Sequence, residues 1–236
     1  EGKNILIENK NKLDEKEKEI IKKTEEDLII IRNKRVKPLF DDKSQTDQNA
    51  FLISALLSAS IILEDGDIKE IAVQKFKILK DKMSDKIFHC YQSKEIDVFL
   101  EDHVFYSKLL LNLYEIDGKK EYLDEASKIM VEAWNMFYDE KSKLLQKNPI
   151  KRNDLFVSPV DLNDNNIPNG NSVYLTQLNK LYYITNDKHW SEKSQLLQQS
   201  FHQILNSNFS QMFSFVKALD MYHETISFTF YGGNKE

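Results

Sequence analysis

Three short stretches of this 236-residue chain gather carboxylates, amides and hydroxyls more densely than local structure requires. The first runs from Pro38 through Asp41, Asp42 and Lys43 into Thr46-Asp47-Gln48-Asn49. The second is Leu100-Glu101-Asp102-His103, and the third runs from Asp161 through Asp164, Asn169, Gly170 and Asn171 to Ser172. Paired carboxylates divide acid and base work when their surroundings separate their pKa values. Amides and hydroxyls converging beside them would orient a polyhydroxylated ligand in a pocket. Each stretch also has an ordinary reading. Asp47, Asp102 and Ser172 taken singly are favoured helix caps, Asp41-Asp42 fits a solvated turn, and Pro168-Asn169-Gly170 is common turn chemistry.

Other chemistries find little footing. The five histidines (His89, His103, His189, His202, His223) show no HxH, HExxH or i,i+4 pairing, so the sequence predicts no metal site. His103 alone lies near a cluster, where it reads as a general base or as a buried structural histidine. The single Cys90 excludes an internal disulfide framework and a CxxC centre. No GxSxG, Walker or GxGxxG pattern occurs, and no cofactor is expected. Most aromatic residues follow helical spacing; Tyr106, Tyr114, Trp134 and Tyr138 stand nearest to serving as a stacking platform.

The elements that must position these clusters are helices. Only 6 Gly and 4 Pro leave little punctuation for a many-stranded fold. Residues 13–35 carry a sparse apolar stripe (Leu13, Ile20, Ile21, Leu28, Ile31), whereas 49–63 are apolar nearly all round, the mark of a buried helix. Residues 68–83 are amphipathic, and the alternation repeats: 103–116 buried, 121–138 amphipathic, 172–185 buried, 190–205 amphipathic. A last helix is expected over 209–220, with short extended segments at 3–7 and 225–230. The pattern predicts one all-α domain over 1–236, with about eight helices in hairpins, one ring inside another. An α/α toroid and an irregular α-superhelix both have this layout. If successive inner helices run parallel, all three clusters reach one end of the ring, where exposed helix N–H groups add positive potential.

Net charge is −5 and no long basic run occurs, which argues against nucleic acid or an anionic membrane surface as partner. No apolar run spans a bilayer, and no secretory leader is visible, so the sequence-level expectation is a cytoplasmic protein. The start at Glu1 rather than Met, within what reads as a strand or loop (Lys3 to Ile7), suggests a piece of a longer chain.

At the clusters the chain resembles the thioredoxin-domain proteins related to the spermatogenesis-associated thioredoxin-like protein. The matching stretches are Glu1-Gly2-Lys3-Asn4-Ile5-Leu6, Arg35-Val36-Lys37-Pro38 with Asp41-Asp42-Lys43, and Thr46-Asp47-Gln48-Asn49-Ala50. Further on come Glu101-Asp102-His103, Leu109 through Glu115, and Asp164 through Ser172. The resemblance implies the later part of a helical domain of six-hairpin glycosidase type, an incomplete (α/α)6 toroid without its thioredoxin domain. It also implies likeness to the N-acylglucosamine and cellobiose 2-epimerases. The chain departs from the family at Gln48 (Trp in the family), Ala50 (Gly), His103 (Tyr) and Asn169 (Ser).

Two functional readings follow. In the first, the toroid acts on or binds a small carbohydrate as a glycosidase or epimerase. Asp42 and Asp102 are then its acid and base, with His103 beside them, and Asp41, Lys43, Asn49, Asp164, Asn169, Asn171 and Ser172 contact substrate. In the second, favoured by the four departures, it is a non-catalytic module that docks a thioredoxin-like domain or self-associates.

Overall fold

A computed structural model describes residues 13–83, 86–92, 97–152, 156 and 158–225. The expected extended segments at 3–7 and 226–230 lie outside these. The chain falls into two compact units, divided after Asp42. The first contains helix α1 (Glu15–Asn33), started by a capping box in which Glu17 N–H donates to Asp14 and Asp14 N–H to Glu17. No α1 residue is buried: its expected apolar stripe is exposed at every position.

The second unit holds seven α-helices among the described residues: α2 (Thr46–Ile62), α3 (Gly66–Met83), α4 (Leu100–Asp117), α5 (Lys120–Phe137), α6 (Gly170–Thr185), α7 (Lys188–Asn208) and α8 (Phe213–Glu224). A 3-10 turn, Phe209–Gln211, joins the last two. Helices α2–α3, α4–α5 and α6–α7 form hairpins. The α4 hairpin is turned by Gly118, whose φ of 66° is the left-handed conformation that glycine reaches without a Cβ penalty.

Burial separates an inner from an outer ring. Helix α4 buries eleven of its eighteen residues and α6 ten of sixteen, while the outer helices α3 and α5 bury only four and six. The amphipathic stripe of an outer helix needs one apolar face; an inner helix is covered on several sides. Helix α2 departs from its all-round apolar sequence, leaving Leu52, Ile61, Ile62 and Leu63 exposed.

The inner helices run parallel. At one end, the α2 amide of Asp47 donates to Asp102 of α4 (3.2 Å), and Gly170 at the start of α6 lies against Leu100 and Glu101 at the start of α4. Midway, the Phe51 and Phe105 rings of α2 and α4 are 5.0 Å apart. Toward the other end, Lys180 of α6 reaches Glu115 of α4 at 2.8 Å. The arrangement is an all-α arc of hairpins with its inner N-termini together, the incomplete α/α toroid anticipated from the sequence. A two-stranded antiparallel hairpin, β1 (Tyr138–Asp139) with β2 (Leu144–Leu145), was not anticipated; it follows the outer α5 and turns the chain back toward the N-terminal end of α4.

Leu109 is fully buried at the heart of α4, so Leu109→Ala should cost about 2–5 kcal/mol in urea unfolding. Ile20→Ala on the exposed face of α1 should stay within about 0.5 kcal/mol.

Candidate functional site

Where the inner helices begin, a cleft of about 400 Å³ opens. Its wall includes Asp47, His89, Phe99, Glu101, Lys147 and Asp161, with the amides of Asn163, Asn165 and Asn169 at its rim. Each side chain is placed by a backbone contact that can be named. The segment leaving α3 pairs antiparallel with the residues before α2: Gln45 bridges Cys90, Thr46 N–H donates to His89 O (3.0 Å), and the Thr46 hydroxyl donates to Phe88 O. This bridge brings His89 beside the first turn of α2. The chain after β2 crosses the start of α4, where Leu100 N–H donates to Lys147 O (3.0 Å), so Lys147 reaches Asp161 at 3.3 Å across the cleft edge.

Beneath the cleft lies Asp102, with no solvent exposure. Its Oδ2 accepts from the Phe99 amide (2.8 Å) and its Oδ1 from the Asp47 amide (3.2 Å); both oxygens are 3.1 Å from His89 Nδ1. That hydrogen bond is the main cause raising the His89 pKa above its ordinary 6.5, against the opposing effect of burial. The other ring nitrogen, Nε2, lies 3.0 Å from Gln45 Nε2. A neutral ring accepts there from the amide. An imidazolium needs an acceptor instead, which Gln45 offers through Oε1 once its amide turns over.

Two further carboxylates face the cleft. Asp47 accepts from the Gln48 amide (2.7 Å); burial, then the charge of Asp102, push its pKa up. Glu101 is likewise pushed up, first by burial, with Lys147 only partly offsetting. The Glu101 Oε2 atom is buried with no hydrogen-bond partner among the described residues, a setting that disfavours the ionised form relative to a carboxylate in water. Asp47, His89 and Asp102 each bring one donor atom to within 4.8 Å of the others, a set that could hold a divalent cation and that no linear motif announced.

The residues singled out in the sequence distribute unevenly. Asp102 is at the site but below its surface. His103 is not in the cleft: it is buried edge-on against Phe137, 3.4 Å from Phe99 O, and burial pushes its pKa down. The histidine in the cleft is His89, a residue without a sequence cluster around it. Asn169 caps α6 through the Ser172 amide (2.9 Å) while lining the rim. Asp164 accepts from the amides of Asn169 and Ser214, tying α6 to α8. Asn171 clamps Leu145 through paired bonds of 2.8 and 2.9 Å, and Asn49 donates to Gln45 O (2.6 Å). Lys43 is exposed at the start of the second unit, and Asp41 and Asp42 are exposed at the end of the first. Of the aromatic candidates, Tyr106 bonds Glu125, and Trp134 stacks on Tyr138 at 3.8 Å; neither pair lines the cleft.

No family model matches the chain, and no curated protein matches its sequence. Among solved structures, it is similar to the α-1,6-mannanase GH76A of Salegentibacter sp. HEL1_6, with a TM-score of 0.55 and 19% identity over 79% of this chain and 54% of that one. An inactive variant of the same mannanase, with two adjacent aspartates replaced by asparagine and bound to α-1,6-mannotriose, gives 0.56 and 18% over 80% and 54%. The chain therefore spans about half the length of the structures it matches. The likeness establishes the fold, an α/α toroid of six-hairpin glycosidase type. The thioredoxin-linked and epimerase terms of the sequence resemblance gain nothing from it. No helix of the described residues is long and apolar enough to cross a membrane.

An NMR titration should place the His89 imidazole above 6.5 and His103 below it, and Asp102→Asn should lower the former. Because His89 binds its proton more tightly when folded, that stabilisation is present below 6.5 and is lost as pH rises through the folded value. Asp47 and Glu101 act in the same sense above their ordinary 3.8 and 4.5. Below 6.5 the lowered pKa of His103 opposes these contributions, so the decline in melting temperature due to His89 should be read above 6.5, up to its folded value, and Asp102→Asn should flatten it.

Proposed function

We propose that the second unit is a carbohydrate-active domain of glycosidase type, working at the cleft where α2, α4 and α6 begin. The observation that carries this reading is Glu101: a carboxyl whose pKa burial raises, with an unpartnered oxygen, in a cleft also lined by Asp47 and three asparagines. Glycoside hydrolysis needs one carboxylic acid to protonate the leaving oxygen and one carboxylate to act as base or nucleophile. Glu101 supplies the first. Asp47 supplies the second; burial and then Asp102 raise its pKa too, with the Gln48 amide and the charge of His89 offsetting only part of that rise. Asp102 is a positioning residue: it orients His89 and fixes the first turn of α2. The amides of Asn163 and Asn165 orient hydroxyls, while the Asn169 amide is held by Leu162 O, Asp164 and the Ser172 amide.

The similar mannanase binds α-1,6-linked mannosides and is inactivated by replacing two adjacent aspartates. Adjacent acids occur here as Asp41-Asp42 in the first unit and Glu101-Asp102 at the start of α4. The reading adopted rests on the second pair; Asp42, expected from the sequence as a catalytic carboxylate, belongs to the first unit and takes no part in it.

A second reading has its own observation. Helix α2 leaves Leu52, Ile61 and Ile62 exposed, with Leu63 just beyond its end, apolar surface of the kind that docks a partner domain or a second copy. Self-association or capture of a thioredoxin-like domain would then be the role, with no turnover.

The test is hydrolysis of α-1,6-mannotriose and a panel of other oligosaccharides, with binding followed by thermal shift. A ligand at 100 times its Kd should add about 2.7 kcal/mol of stability. Glu101→Gln should lower turnover by about 10²–10⁴-fold while leaving that shift in place, and Asp47→Asn should also abolish most turnover. Unchanged rates in both variants would remove the acid–base assignment. No shift and no turnover with any sugar would favour the docking reading.

A further inference from the structure

Beside the acidic cleft, and sharing Pro168 with it, lies a second cavity of about 480 Å³ on the inner wall of the arc. Helices α2, α4, α6 and α8 all contribute to it. Its chemistry is opposite in sign. Three lysines line it, Lys108 of α4, Lys180 of α6 and Lys217 of α8, against the single carboxylate of Glu115. Glu115 is committed to Lys180, which it meets at 2.8 and 2.9 Å. Among the described residues, Lys108 and Lys217 have no carboxylate partner. Lys108 instead holds its ammonium 5.3 Å from the Phe51 ring centroid, and it feels the repulsion of both other lysines. Three cations converging on one wall of a protein with net charge −5 are a local excess that structure alone does not call for.

A further polar group points to the kind of ligand. Gln177 is 1% exposed and lines the same cavity, yet its Oε1 has no hydrogen-bond partner. A buried amide oxygen left unbonded costs stability unless a donor arrives. Simple inorganic anions such as fully ionised sulfate offer no donor, whereas a sugar bearing an acidic group offers hydroxyl donors and a negative charge together.

We infer that this cavity binds the anionic substituent of a glycan, a carboxylate or an acidic ester, while the neighbouring residue of the same glycan lies in the acidic cleft. The inference rests on the carbohydrate reading above and names its substrate class. Lys108 and Lys217 pair with the anion, and Gln177 accepts from a hydroxyl on the same ring. The acidic cleft then handles the neutral part of the chain, where the carboxylate of Asp47 would repel a charged sugar.

The experiment is calorimetric titration of the full chain with three probes: a trisaccharide containing one hexuronic acid, its carboxyl-reduced neutral counterpart, and inorganic sulfate. The uronate should bind at least tenfold more tightly than the neutral sugar, a difference of about 1.4 kcal/mol, and sulfate more weakly than the uronate. Lys217→Met, at an exposed position, should remove most of that preference without changing affinity for the neutral sugar; Lys108→Met should do the same where it folds. Neutral binding equal to or tighter than the uronate's overturns the inference while leaving the carbohydrate reading intact. Sulfate binding as tightly as the uronate also overturns it, by reducing the cavity to a simple anion site. Failure of both sugars to bind removes the carbohydrate reading itself, and this inference with it.

Discussion

A single buried carboxylate organises this protein's N-terminal rim. Asp102 has no contact with solvent, and a charge so placed persists only when neighbours satisfy it. Here two backbone amides and one imidazole do so, and they come from three parts of the chain: the start of α2, the turn into α4 and the segment leaving α3. Satisfying Asp102 therefore brings those parts together. Asp47 inherits its position from that bond, His89 its raised pKa, and the acidic cleft its floor.

Much of the architecture is legible in the sequence because burial leaves a periodic trace. Helices with apolar residues on every side proved to be inner ones, and those with a single stripe outer ones, so the alternation of rings follows from residue type alone. The gathering of the polar residues that begin α2, α4 and α6 at one end follows from parallel inner helices. Two exceptions are instructive. Helix α2 is as apolar as its inner companions, yet it leaves one side uncovered, because periodicity reports what could be buried and not whether a neighbour exists. The β1–β2 hairpin is too short to produce an alternating pattern.

The site was less legible, for a physical reason. His89 reaches it through an isolated bridge between residues far apart in sequence, Gln45 and Cys90, which no local spacing encodes. His103 had the better sequence context, but its place on the helix turns it inward against Phe137. Glu101 lay within a recognisable cluster, although what distinguishes it, desolvation with one oxygen left unpartnered, exists only after α4 and α6 have met. Amides such as Asn49 and Asn171 looked like ligand contacts, yet they spend their hydrogen bonds on the backbone, because the same groups that orient sugars also clamp loops.

The order of the hairpins along the chain has a consequence for synthesis. The rim takes groups from α2, from the segment leaving α3, from α4 and from the start of α6, which lies more than half-way along the sequence. As a nascent chain leaves the ribosome, the hairpins can form one at a time from local contacts. Asp102 meets its partners once α4 has emerged, but Glu101 stays open to water until the start of α6 packs over it. The molecule thus spends part of its biogenesis with its most unusual acid exposed and ordinary, and that acid acquires its character only when the third hairpin arrives.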